Sequence, residues 1–153
     1  MQQSRQGRQR QRVVRRALIP VIAIALAGMS VVPALAQGAR TMTVAKSEHS
    51  ASLGKTVLAT TKGRTLYSLS VEKNGKFICT GSCLAIWHPL TVAAGVTPKG
   101  PVALGTVKRP EGKTQVTYKG HPLYSFDGDK APGQAKGQGI MDVGTWGAAV
   151  VPR

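Results

Sequence analysis

The sequence predicts an all-β fold: one small single domain of two pseudo-repeated β-hairpin units, with one short helix near Ser82–Trp87. Two observations lead to this prediction. Thr60–Leu69 and Thr117–Phe126 lie 57 positions apart and share six of ten residues, where chance would produce fewer than about one match. In each copy, a strand-like run, a Lys-Gly pair and a second strand-like run follow one another, which is a hairpin pattern. The chain therefore contains a duplicated β unit.

The predicted hairpins have matching parts in the two copies. The first consists of Lys55–Thr61, the Lys62-Gly63 break and Arg64–Ser70, and the second of Lys113–Tyr118, the Lys119-Gly120 break and His121–Phe126. Glycine at the second turn position permits the positive φ that such turns require. Side chains alternate along a strand, so the tyrosine of each outgoing strand shares a face with the residue two positions later.

The segment between the copies contains the predicted helix and an aromatic marker. Thr80 or Ser82 is a suitable N-cap for a helix that runs to about Trp87, and Pro89 would stop it. A last strand is expected around Trp146, which lies 59 positions after Trp87. Each copy is therefore expected to end in a tryptophan.

The first 36 residues have the pattern of a secretory signal peptide. Met1–Arg16 carries six arginines and no acid, Ala17–Val32 is an apolar run, and Ala34-Leu35-Ala36 is a small-x-small cleavage site. A retained membrane anchor is the alternative, but the apolar segment is shorter than the roughly 20 residues of a spanning helix. The export route, general secretory or twin-arginine, stays open because Arg15-Arg16 precedes the apolar run.

Cleavage would leave an exported protein, secreted, periplasmic or attached to the cell envelope, with no integral membrane span. Residues 37–52 are polar and without periodicity, so they are expected to form a flexible leader. Residues 53–153 form the predicted two-repeat β domain. The chain length after cleavage suits one domain.

The charge of the chain limits the classes of partner. Loss of the six leader arginines lowers the formal net charge from +15 to +9, and the remaining lysines are scattered singly. Nucleic-acid binding would require a basic face with interleaved aromatic residues or a recognisable module, so no nucleic-acid partner is predicted. The predicted partner is an unknown envelope protein or an anionic polymer, held by salt-sensitive attraction.

Cys79 and Cys83 are the two cysteines of the sequence, and an oxidising compartment favours a disulfide between them. The alternative is a periplasmic redox- or metal-linked role that uses both cysteines and His88. The spacing does not match that of structural zinc sites or of haem attachment. No metal and no cofactor are therefore predicted.

Catalytic motifs are missing from the sequence. There is no Gly-x-Ser-x-Gly elbow. Asp127-Gly128-Asp129 opens like a calcium loop but lacks the later ligands, and Gly133–Gly139 lacks the Lys-Ser/Thr of a phosphate loop. The chain is predicted not to be an enzyme but a structural or binding module of unknown biochemical activity.

These residues together resemble a bacterial family, the secreted repeat of unknown function, whose members are predicted lipoproteins with a Tyr-x-(Phe/Trp/Tyr)-x-x-Asp motif. The second copy fits this motif with Tyr124, Phe126 and Asp129, whereas the first departs from it with Tyr67, Leu69 and Glu72. The resemblance implies export and no known activity. Many relatives look like lipoproteins, but no cysteine stands near the cleavage site of this chain.

The motif admits two interpretations, a ligand site or a structural clasp within each repeat. The first copy replaces Phe126 by Leu69, an exchange that packing tolerates more easily than specific recognition. The clasp is therefore the preferred hypothesis. In it, the tyrosine and its same-face neighbour pack inward, and the acid holds the following loop.

Overall fold

The computed structural model describes Gly38 and residues 40–152, and these residues confirm the predicted all-β fold. They contain one 3₁₀ helix, Gly81–Ala85, and twelve short strands. In chain order, the strands are β1 (Arg40–Thr43), β2 (Ala45–Ser50), β3 (Lys55–Thr60), β4 (Leu66–Leu69), β5 (Trp87–Pro89), β6 (Thr91–Val92), β7 (Val96–Lys99), β8 (Gly105–Lys108), β9 (Thr114–Tyr118), β10 (His121–Pro122), β11 (Tyr124–Phe126) and β12 (Trp146–Ala148). The predicted signal peptide, residues 1–36, lies outside the described residues.

The hairpin of the first copy joins β3 to β4 through a three-residue turn, 61–63. The N–H of Thr60 donates to the carbonyl of Arg64, 2.8 Å away, and Ala59 pairs with Thr65. Gly63 has φ of 84°, a left-handed conformation that glycine adopts without steric cost.

The hairpin of the second copy joins β9 to β10 through a tighter turn. His121 pairs directly with Tyr118, so only Lys119 and Gly120 form the turn, with φ of 50° and 81°. Positive φ at both central residues is the type I′ geometry that suits a two-residue hairpin. The repeated Lys-Gly pair therefore makes two different turns.

The central sheet relates the two copies to each other. Its strand order is β12-β4-β11-β5. The middle strands β4 and β11 run antiparallel, and Tyr124 is paired with Tyr67. Because equivalent residues of the two copies face each other, the sheet has a pseudo-two-fold relation between β4 and β11.

Each copy contributes its last strand to the other copy. Trp87, in β5 of the first copy, pairs with Phe126 of the second, and Trp146, in β12 of the second copy, pairs with Leu69 of the first. The exchange continues past these strands, since β6 pairs with β9 and Val150 forms a bridge to Val57. The two units are therefore interlocked and do not stand side by side as separate lobes.

The central sheet separates two buried clusters. Leu66 and Leu123 belong to an aliphatic cluster, whereas Tyr67 and Tyr124, the next residues along, belong to an aromatic one. This division follows from the alternation of side chains along a strand. The remaining strands form a sheet of β6, β8, β9 and β10 and the pairs β2-β3 and β1-β7.

The expectation of a flexible leader over residues 37–52 is wrong for the residues that form β1 and β2. All six residues of β2 pair with β3, from Ala45 opposite Thr60 to Ser50 opposite Lys55. Val44 and Ala45 are buried in the aliphatic cluster. The polar β2 sequence has little intrinsic strand preference, and backbone pairing with a neighbouring strand overrides it.

The short helix is present, but it lies earlier than predicted and is not α-helical. It covers Gly81–Ala85, and Thr80 precedes it as N-cap without a side-chain hydrogen bond. Trp87, the predicted end of the helix, lies instead in β5 because its backbone pairs with β11. Within the described part of the chain, no helix has the length and apolar character needed to cross a membrane.

Candidate functional site

The motif residues of the two copies bond to each other across the central sheet. The hydroxyl of Tyr67 donates to Oδ2 of Asp129 at 2.7 Å, and the hydroxyl of Tyr124 donates to Oε2 of Glu72 at 2.8 Å. All four side chains are buried. Each tyrosine therefore holds the acid of the other copy, and we call this reciprocal arrangement the clasp.

The second oxygen of each acid holds the loop that follows it in its own copy. Oε1 of Glu72 accepts the backbone N–H groups of Ile78 and Cys79, both at 2.6 Å. Oδ1 of Asp129 accepts the N–H of Lys136 at 2.9 Å. Hydrogen bonds of this kind compensate for the burial of a carboxylate. The acids thus join two loops to the opposite tyrosines.

A buried arginine completes the clasp on the side of Tyr124. Nη1 of Arg109 donates to the hydroxyl of Tyr124 at 2.9 Å and to Oε1 of Gln115, and Nη2 donates to the carbonyl of Cys79 at 2.8 Å. The guanidinium also forms a two-pronged ion pair with Glu111, with contacts of 3.0 and 3.3 Å. Burying a guanidinium is favourable only when its donors are used in this way.

The surroundings keep both tyrosines protonated. Burial raises the pKa of Tyr67, and its hydrogen bond to Asp129 raises it further. Burial likewise raises the pKa of Tyr124, with the negative charge of Glu72 as the next contribution. On the exposed side, the hydrogen bond from Arg109 lowers the pKa of Glu111. The tyrosine hydroxyls are therefore hydrogen-bond donors at neutral pH and not nucleophiles.

An aromatic cluster packs beside the clasp and repeats its symmetry. Trp87 and Trp146, the predicted repeat-end residues, stack with ring centroids 3.7 Å apart and an interplanar angle of 8°. Each also meets the tyrosine of its own copy edge to face, Tyr67 at 5.5 Å and Tyr124 at 5.2 Å. Phe126 packs on Trp87 at 4.6 Å.

Cys79 and Cys83 form a disulfide, with Cα atoms 5.3 Å apart. Its sulfurs are bonded to each other, so in this form they offer no thiolate to a metal. His88 is exposed, and its imidazole Nε2 lies 3.8 Å from Oδ1 of Asp127. Within the part of the chain that the structure describes, no group of three or more His, Cys, Asp or Glu side chains is placed to hold a metal ion.

The structure brings together most of the residues that were singled out from the sequence. The pairing of each tyrosine with the acid of the other copy was not predicted. Tyr67, Glu72, Tyr124 and Asp129 meet in the clasp, with Leu69, Phe126 and the tryptophans in the adjoining cluster. Each acid was expected to hold the loop that follows it in its own repeat. In the structure each acid also bonds to the tyrosine of the other repeat.

Arg109 belongs to the site, although it is not among the residues predicted from the sequence. Arg109 is 3% exposed, although it is flanked by turn residues. Its guanidinium bonds to neither acid of the clasp, so the need of those acids for partners does not point to it. A turn residue gives no sign of burial in the sequence.

The comparison with protein families finds a match in the second half of the chain. The model of a family described as "Secreted repeat of unknown function" matches residues 105–149, which run from β8 to the residue after β12. No curated protein and no solved structure matches the chain. The family description supports secretion or cell-envelope localisation. Residues 105–149, in the second copy, thus match the model of the family that the sequence resembles, the secreted repeat of unknown function.

Proposed function

We propose that this protein is a non-enzymatic exported module that binds an anionic partner at the cell envelope. The observation that carries the proposal is the clasp. The ionisable side chains of the family motif, Tyr67, Glu72, Tyr124 and Asp129, are buried and bonded to one another. They stabilise the fold and are not presented to a substrate.

The exterior charge supports the choice of an anionic partner. Residues 40–152 contain fourteen lysines and arginines and six acids. Two of the acids are buried in the clasp, and three others, Glu48, Glu111 and Asp127, form ion pairs with Lys46, Arg109 and Lys130. The surface of the described residues therefore has many unpaired cations and little negative charge to oppose them. Such a surface attracts polyanions over a Debye length of about 10 Å at 0.1 M salt.

The test is retention of the exported protein on resins that carry polyphosphate or polygalacturonate, with neutral dextran resin as control. We expect retention at low salt, elution as salt rises, and no retention on dextran. Equal behaviour on charged and neutral resins would contradict the proposal.

A variant of the clasp separates stability from binding. Tyr124→Phe should lower the unfolding midpoint in urea and leave retention on the charged resins unchanged, because the hydroxyl is buried. Loss of retention in a variant that is still folded would show that the motif is the binding site after all.

A further inference from the structure

We infer that the anionic partner binds in one particular cleft, beside the hairpin turn of the first copy, through a phosphate or carboxylate group on a polyhydroxylated scaffold. This inference rests on the proposed function, to which it adds a site and a ligand class. The cleft has a volume of about 320 Å³, at the lower end of the roughly 300–1000 Å³ typical of small-molecule sites. We call it the turn cleft.

The polar wall of the turn cleft consists of donors without acids. Lys62 and Arg64 supply two cations, and Thr43, Thr61, Thr91 and Ser125 supply hydroxyls. Neither cation forms an ion pair within the described residues, and these four hydroxyls form no side-chain hydrogen bond there. Ammonium and guanidinium groups bind carboxylate and phosphate oxygens through charge-assisted hydrogen bonds. The free hydroxyls suit a ligand that itself carries hydroxyl groups.

The rest of the wall is apolar, with Met42, Val44 and Leu90. Met42 is 55% exposed, so apolar surface is available to the carbon skeleton of a ligand. A polar wall beside an apolar wall is the usual composition of a small-molecule site. By contrast, the cavity of about 270 Å³ beside His49 and Gln134 has no lysine or arginine in its wall.

The cleft depends on the difference between the two turns. In the first copy, the three-residue turn places Thr61 and Lys62 in the cleft wall. In the second copy, the equivalent Lys119 lies in the tight two-residue turn, and its ammonium is 5.1 Å from the ring centroid of Tyr118. The sequence repeat thus offers a matched control: two lysines in equivalent positions, of which one lines the cleft.

The experiment follows the backbone amide signals of the ¹⁵N-labelled exported protein by NMR. The probes are glycerol 3-phosphate, galacturonate and, as neutral control, glycerol. We expect saturable shifts at residues 61–64 and Ser125 with at least one anion and none with glycerol. Comparison of the two anions then shows whether phosphate or carboxylate is preferred.

Three variants test the site. Lys62→Gln and Arg64→Gln should each weaken anion binding by about fivefold or more, because each removes a charge-assisted contact. Lys119→Gln removes the same charge from the other copy and should change affinity by less than about twofold, because Lys119 is exposed and does not line the cleft. The urea midpoints of Lys62→Gln and Lys119→Gln should match that of the parent protein, since both lysines are exposed.

The outcomes separate this inference from the proposed function. If Lys119→Gln weakens both anion binding and resin retention as much as Lys62→Gln does, the charge acts diffusely. The turn cleft is then not the binding site, while the proposal of polyanion binding stands. The cleft is also overturned if the shifts map to other residues. If the parent protein is not retained on the charged resins and shows no anion-dependent shifts, both proposals fail.

Discussion

At the scale of single residues, two tyrosine hydroxyls connect the copies of the repeat. Each donates to a fully buried carboxylate that belongs to the other copy. A hydrogen bond to a charged group contributes about 1.5–3 kcal/mol, and an unpaired buried group costs a comparable amount. Removal of either hydroxyl is therefore expected to lower the free energy of unfolding measurably.

Tyr67→Phe removes one donor and keeps the ring. It should lower the free energy of unfolding by about 2 kcal/mol, because Asp129 keeps the bond from Lys136 but loses the one from the hydroxyl. Urea unfolding followed by tryptophan fluorescence measures the change. Tyr118→Phe is the matched control, since no hydrogen bond within the described residues uses the Tyr118 hydroxyl. Its free energy of unfolding should stay within about 0.5 kcal/mol of the parent value. Equal effects of the two variants would contradict the clasp.

Alkaline pH should destabilise the protein through the same hydroxyls. Folding raises the pKa of Tyr67 and Tyr124, so their contribution to stability is complete below the unfolded pKa of about 10 and is lost as pH rises above it. Melting temperatures measured from about pH 8 to about pH 11.5 should fall at the upper end. In Tyr67→Phe the fall should be shallower, because one ionising group is gone. A parallel fall in both proteins would argue against this origin.

At the scale of elements, the loop after Asp129 is packed onto the aromatic cluster. A Cβ at Gly137 would lie 2.8 Å from the ring of Trp87 and 3.0 Å from that of Tyr67. Trp87 is held by its stacking on Trp146, and Tyr67 is fully buried with its hydroxyl bonded to Asp129. The position thus requires glycine for close approach, and its φ is not in the left-handed region.

Gly137→Ala should therefore destabilise the protein by about 1–3 kcal/mol, the usual effect of overpacking. Gly147→Ala is the control, because a Cβ at Gly147 would meet nothing within 4 Å, and stability should be unchanged or slightly higher. Thermal unfolding of both variants measures the difference. A neutral Gly137→Ala would mean that the loop can move away from the rings.

At the scale of the whole molecule, the exchange of the last strands makes the two copies one folding unit. A protease site in place of the exposed residues Ala93-Ala94-Gly95 would separate the chain between β6 and β7. After cleavage the halves should stay together in gel filtration and separate only in concentrated urea. The reason is that β5 and β6 pair with strands of the second copy while β12 pairs with β4. Halves that separate in buffer and unfold cooperatively on their own would refute the interlocked architecture.

Several features of the fold could be predicted because their signals are local in sequence. Lys-Gly between strand-like runs predicted both hairpins, and alternation predicted that each tyrosine shares a face with the residue two positions later. The burial of Tyr67 and Tyr124 agrees with the preferred clasp hypothesis. The paired cysteines of an exported chain predicted the disulfide. β2 was missed because its polar residues show no strand pattern, and Arg109 was missed because a turn residue gives no sign of burial.

The sequence by itself determined the duplication, the all-β class, the resemblance of the second copy to the secreted repeat family, and the shared face of each tyrosine and the residue two positions later. Each of these follows from spacing and alternation along a single segment. Only the tertiary structure decided with which copy each last strand pairs and to which copy's tyrosine each acid bonds. Glu72 and Asp129 stand at the same distance after their tyrosines, so pairing within a copy and pairing across copies are equally compatible with the sequence. In the crossed arrangement the two halves pack around one pair of stacked tryptophans, and the aromatic residues of both copies are buried in a shared cluster.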